Sequence, residues 1–241
     1  MVWLSLCVGL MWGLPGVAAE SPPVAEVAIP EVWPWAYEGS QGEPVGILPL
    51  FFERLSAAAE VPFQMRLRPH RRALKEMGSG AADLAVFYDS PHVAEGSVRV
   101  ASVASTRVLL AVRAGEPVPE ALDQRAAGLS VGYIRGTYYG EAFEQAELIH
   151  KVAVQDLRQA IEMLRLQRID AVIASEHVFR YTLAAMGLDD ALFSVGVAAD
   201  RLPASLYMSK NSALLGDLPH LREALRRLHE SGELQQTFAL P

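Results

Sequence analysis

The sequence holds one cysteine, Cys7. A lone thiol closes no intrachain disulfide, and beyond position 7 both thiolate catalysis and Cys-ligated metal are excluded. The six histidines, His70, His92, His150, His177, His220 and His229, form no His-x-x-x-His pair and no Cys/His cluster. Zinc sites use such spacings because two imidazoles one helical turn apart face the same ion, so no metal and no cofactor are expected. Neither a Gly-x-Ser-x-Gly nucleophile elbow nor a Gly-x-x-x-x-Gly-Lys phosphate cradle occurs. Positive charge is scarce: 21 Lys and Arg stand against 28 Asp and Glu, a formal net charge of −7. General nucleic-acid binding depends on neutralising phosphates, so that class is disfavoured.

No Lys or Arg precedes Arg54, and the uncharged run Met1 to Ala19 ends in Val17-Ala18-Ala19. Small residues before a break are what signal peptidase accepts, so residues 1–19 are expected to be a secretory signal and the chain periplasmic. The run is short for a spanning helix and Pro15-Gly16 interrupts it, so no permanent membrane anchor is expected after cleavage.

What is present is an alternation of β-prone and helix-periodic segments, enough for two small domains with a core each. Strands are expected at 27–29, 61–67 and 84–87, with helices at 48–59 and from Arg72. The second half is expected to repeat this, with strands at 130–134, 148–152 and 171–174 and helices from Tyr138 and at 156–166. Such alternation indicates parallel sheets flanked by helices. Two units also resemble each other. Arg72 to Val86 and Gln159 to Ile173 match at Ala73, Leu74, Met77 and Asp83 with Ala160, Ile161, Leu164 and Asp170, all 87 residues apart. Long β-prone runs at 106–112 and 204–209 connect the halves, and 214–230 reads as a helix closed by Gly232. The expected organisation is a discontinuous first lobe, 24–107 with 202–241, and a second lobe, 108–201.

Arg66, Arg68, His70, Arg71, Arg72 and Lys75 crowd around Pro69. Because strand neighbours alternate in direction, most of this cluster reads as a solvated strand face and helix start.

Five segments in order resemble the amino-acid-type periplasmic solute-binding proteins, family 3, over essentially the whole chain after the signal. They are Trp33-Pro34-Trp35; Gly42 to Leu50; Pro69-His70-Arg71-Arg72-Ala73-Leu74 with Gly80 and Asp83; Val131-Gly132 with Gly136-Thr137; and the final helix Leu221 to Phe238. The resemblance implies a two-lobed α/β fold, the type II periplasmic binding fold, with a two-segment hinge. It further implies a monomer that captures a small polar solute by hinge closure and delivers it to an ABC transporter permease.

The residues placed at the cleft are Trp33, Trp35 and Tyr37 after the first strand, and Tyr88, Asp89 and Ser90 after the third. Arg135, Gly136 and Thr137 form a turn whose free N–H groups suit an anion. Tyr138 is expected on the wall; Arg135, Arg72 and Arg107 are candidate partners for an acidic group of the ligand, and Asp89 and Glu176 for a donor group. Two positions depart from the family pattern. His92-Val93-Ala94-Glu95 stands where amino-acid binders carry Thr-x-x-Arg, and Ser175, followed by Glu176, stands where they carry the Asp that meets the α-amino group. A carboxylate beside Glu95 is repelled, so amino-acid specificity is not carried over. The ligand is expected to be a small polar solute, amino-acid-like or an organic acid. Two alternatives belong to other classes: a dehydratase-like enzyme with Glu176 as proton donor, and a ligand-sensing partner of a receptor.

Overall fold

The computed structural model describes residues 24–239, and the expected signal sequence lies outside them. The first strand, β1 (Ala25–Pro30), buries every side chain but Glu26. A strand buried on both faces needs a neighbour on each edge, and β1 pairs in parallel with β4 (Phe63–Arg68) and β5 (Leu84–Tyr88). Between β1 and β4 lie a small hairpin, β2 (Tyr37–Glu38) and β3 (Pro44–Val45), and the helix α1 (Ile47–Ala59). In α1, Leu48, Phe51, Phe52, Leu55 and Ala59 form a buried stripe at helical spacing. Between β4 and β5, α2 (His70–Ser79) buries Ala73 and Met77 and stops where Gly80 turns left-handed at φ 79°. A short helix, α3 (Pro91–Gly96), follows β5 and leads into β6 (Ser97–Arg113), a strand of 17 residues.

The second half is built alike. Parallel strands β7 (Ser130–Ile134), β8 (His150–Val154) and β9 (Ala171–Ser175) alternate with α4 (Glu141–Glu144) and α5 (Leu157–Arg165). Then come α6 (Glu176–Met186) and β10 (Phe193–Ser209), also 17 residues long. The chain ends with α7 (Leu218–Glu230) and α8 (Glu233–Thr237). Leu221, Ala224, Leu225 and Leu228 of α7 are buried, and His220 reaches the carbonyl of Ala59 at 2.7 Å, so the chain end returns to α1.

The sheet order is β4-β1-β5-β10-β6-β9-β7-β8. β6 and β10 run antiparallel along their length, from Phe193 opposite Arg113 to Ser209 opposite Ser97. The end of β10 pairs with β5, whereas the end of β6 pairs with β9. One two-stranded ribbon therefore supplies the inner strands of both halves, and its register shifts fall between Val197 and Tyr207. Such irregularities bend a ribbon locally. This is a two-lobed type II periplasmic binding fold, with β6 and β10 as the two connecting segments.

Most sequence expectations correspond to observed elements. The two connecting strands are longer than expected, because their outer parts are half exposed and carry weaker apolar signals. The helix expected from Tyr138 shrinks to Glu141–Glu144, since Gly140 sits at φ 99° and delays its start. Helix α6 was not anticipated; it starts where Ser175 accepts the N–H of Val178. Among the described residues, no helix is long and apolar enough to cross a membrane.

Candidate ligand-binding cleft

Strand ends of a parallel sheet leave a crevice beyond their carboxyl termini, and side chains just after β1, β5 and β7 meet there. Between the two halves lies a cavity of about 50 Å³. The first half lines it with Pro30 at the end of β1, Val32 and Trp35 after it, Leu48 of α1, His70 at the start of α2, and Val86, Phe87 and Tyr88 of β5. Ala204 of β10 closes one side, and Thr137, after β7, comes from the second half.

Its polar atoms stand out. The ring N–H of Trp35, Nδ1 of His70, the hydroxyl of Tyr88 and the hydroxyl of Thr137 are all buried, and among the described residues none has a partner in hydrogen-bond geometry. Buried polar groups are nearly always paired, so four orphans on one small cavity demand an explanation. The Tyr88 hydroxyl lies beside Ser175 and the Trp35 ring N–H, and Thr137 lies beside Tyr139, but none of these approaches closes to full hydrogen-bond geometry. Burial pushes the Tyr88 phenol up to about 12, and burial pushes the His70 imidazole down to about 4. Both are uncharged at neutral pH.

Aromatic rings frame the space. Tyr88 meets Trp35 edge-on with centroids 6.4 Å apart, and His70 meets Phe87 edge-on at 5.4 Å. Behind Trp35, His177 packs at 5.1 Å and Phe238 at 6.1 Å. His177 belongs to α6, yet its Nε2 donates to the carbonyl of Phe238 at 2.9 Å and its Nδ1 lies 3.1 Å from Thr106 Oγ1. This imidazole ties α6 to the connecting ribbon and to the chain end. Burial holds its pKa below the ordinary histidine value.

Of the residues expected at the cleft, Trp35, Tyr88 and Thr137 line the cavity, and Ser175 stands behind Tyr88 as the N-cap of α6. Gly136, at φ 87°, faces His70 and the stem of Arg71 across the gap. Trp33 packs at a tilt against Tyr37, ring centroids 4.5 Å apart, and turns to a separate crevice beside Asp156, Leu157, Arg158 and Thr182. Tyr138 is half-buried in the apolar cluster of the second half, and Ser90 precedes α3; neither lines the cavity.

The charged candidates do not line the cavity. Arg72 is exposed and bonds Glu76 at 2.9 Å on the outer face of α2, not at the cavity. Asp89 accepts the hydroxyl of Tyr207 at 2.9 Å and lies 3.2 Å from Arg99. Arg107 grips Glu176 with two hydrogen bonds of 2.8 and 2.6 Å, and Arg180 adds a third of 3.0 Å. Arg135 is exposed and does not line the cavity. The proton-donor role considered for Glu176 calls for a raised pKa, whereas the Arg107 hydrogen bonds hold this carboxyl below its usual value.

His70 is the cavity residue that the sequence left among its basic neighbours. Its signal was positional: it is the first residue of α2, straight after Pro69 and the end of β4.

No family model and no curated protein sequence matches the chain. Solved structures do. A histidine kinase sensor domain with similarity to periplasmic binding proteins superimposes with a TM-score of 0.76 at 14% identity, over 90% of this chain and 94% of that one. A mutant of the arginine-binding protein ArgBP from T. maritima gives 0.72 at 15% identity, over 89% and 93%. The arginine-, lysine-, histidine-binding protein ArtJ from Geobacillus stearothermophilus gives 0.70 at 19% identity, over 90% and 94%. These likenesses cover almost the full described chain, and they establish that it has the fold of periplasmic binding proteins.

Proposed function

We propose that this chain is an exported solute-binding protein whose two lobes close over a small polar organic molecule and present it to an ABC transporter permease. The observation that carries the reading is the cavity between the halves, with four buried polar atoms waiting for partners. Lobes joined by a ribbon can swing about it, and closure excludes water and strengthens each polar contact inside. Support for the transport role comes from solved neighbours described as amino-acid transporter binding proteins. In this reading residues 1–19 are the export signal, the lobes are 24–107 with 202–241 and 108–201, and the protein is a periplasmic monomer.

A second reading has one specific observation in its favour, the superposition on a histidine kinase sensor domain. There the same closure is read by a receptor instead of a permease.

The clamp itself is tested by thermal shift against organic acids, amino acids, amines and neutral amides, followed by small-angle scattering with any stabilising compound. A ligand at about a hundred times its Kd stabilises by about 2.7 kcal/mol. The expected result is a raised melting temperature together with a smaller radius of gyration. Silence across the panel, or stabilisation with unchanged scattering, counts against the clamp.

A further inference from the structure

We infer that the ligand of this cleft is an uncharged, compact, planar molecule of the amide, lactam or nitrogen-heterocycle type, instead of an amino acid or organic acid. This rests on reading the cleft as a binding site. The walls carry it: of the residues lining the cavity, only His70 can ionise in the physiological range, and the others are apolar, aromatic or hydroxylic. Transferring a carboxylate or ammonium out of water without a counter-charge is far costlier than transferring a neutral polar group. Three of the charges that could have served are held by other partners, Arg107 by Glu176, Arg72 by Glu76 and Asp89 by Tyr207 and Arg99, and Arg135 is exposed and outside the cavity lining. Arg71 lies closest in sequence, but it is exposed and its stem packs against Gly136 outside the cavity.

The orphan atoms specify what the ligand must carry. Trp35 Nε1 is a donor only and requires an acceptor on the ligand. The hydroxyls of Tyr88 and Thr137 can donate or accept, and a neutral imidazole offers one of each. The start of α2 adds to this, because Pro69 supplies no side-chain cap and its carbonyl takes only the N–H groups of Arg72 and Ala73, which leaves those of His70 and Arg71 uncapped. A carbonyl oxygen beside an N–H or ring nitrogen satisfies this set. A sugar does not: it brings about five hydroxyls, more than these four side-chain atoms can pair, and each one left over is costly. The flat apolar faces of Trp35, Phe87 and Tyr88 suit a planar skeleton. The cavity of about 50 Å³ holds only a few atoms, so even a small heterocycle requires the lobes to part and close again around it.

Calorimetric titration of the chain with nicotinamide, uracil and 2-pyrrolidone, beside L-arginine, L-glutamate and succinate, tests the class. At least one neutral probe is expected to bind more tightly than every charged one, by about a hundredfold. Tyr88→Phe and Thr137→Val are each expected to weaken it by about three- to tenfold. Both variants lose an unpaired buried hydroxyl, so their ligand-free forms should melt no lower than the parent, which separates lost contact from lost fold. A charged probe that binds best overturns the ligand class and leaves the clamp standing. Neutral binding that ignores both substitutions overturns the site assignment. Silence toward all six probes overturns this inference, and it sinks the clamp as well only if the wider panel and the scattering are also silent.

Discussion

Asp83 and Asp170 stand 87 residues apart and make the same pair of bonds in the two halves. Asp83 accepts the N–H of Glu26 at 2.8 Å and gives its own N–H to the carbonyl of Glu26 at 2.8 Å. Asp170 accepts the N–H of Ser130 at 2.8 Å and gives its own to the carbonyl of Ser130 at 2.9 Å. Each carboxylate thus fixes the first strand of its lobe beside the third, which sets where the cleft residues emerge. Hydrogen bonds to a charged group contribute about 1.5–3 kcal/mol, so Asp170→Ala is expected to cost that much in urea denaturation. Asp83→Ala should cost more, because Asp83 also accepts the hydroxyl of Ser212 at 2.6 Å. Equal or negligible losses would remove the structural role assigned to the repeat.

The same offset pairs Gly80 with Gln167, and both sit left-handed, at φ 79° and φ 57°. Glycine adopts this conformation without penalty; other residues are strained by roughly 1 kcal/mol. Gln167→Gly is therefore expected to raise stability by a few tenths to about 1 kcal/mol, less what glycine loses in chain entropy. Gly80→Ala should lower it by more than about 1 kcal/mol, since the added Cβ would also lie 2.8 Å from Cβ of Asn211. Denaturation midpoints of the two variants must move in opposite directions.

The repeat was legible because its apolar and Asp positions answer to local backbone geometry, which sequence periodicity records directly. The offset even carries Tyr88 onto Ser175, and the structure sets these two side chains next to each other. The charge pattern was a poor guide. Arg107 and Asp89 each have a partner that only the fold brings near, such as Glu176 for Arg107, 69 positions away, whereas Arg72 pairs with Glu76 one helical turn on. His70 was hidden for the converse reason: among five basic neighbours in sequence, it alone turns from solvent to the cavity.

Burial of His70 has a consequence for pH. Its imidazole protonates near 6.5 when exposed but only near about 4 in the folded chain, where Phe87 and the other aromatic walls replace water. Between these values the unfolded chain binds more protons than the folded one. Stability is therefore complete above pH 6.5 and declines as pH falls toward 4. The loss owed to this group is at most about 3 kcal/mol. His70→Asn should flatten that part of the urea-midpoint profile without changing the carboxylate-dependent fall below it. A profile of unchanged slope would show that His70 is not the titrating group.

Gly46 decides where Trp35 sits. Its backbone, at φ 123° and ψ −166°, lies in a region open essentially to glycine alone. A Cβ there would stand 2.8 Å from the carbonyl oxygen of Pro34 and 2.9 Å from that of Trp35. Both obstacles are backbone atoms and cannot rotate away. The N–H groups that follow, of Ile47 and Leu48, bond those same carbonyls at 3.3 and 2.8 Å, so the start of α1 and the aromatic loop hold each other. Gly46→Ala is expected to cost roughly 2–3 kcal/mol from strain alone. It should also push the loop outward, wetting an indole that is now 8% exposed and sits against His177 and Phe238. Tryptophan emission should shift to the red, and affinity for any cleft ligand should fall with it. Unshifted emission from a folded Gly46→Ala chain would mean that Trp35 is held by its ring contacts and not by the loop.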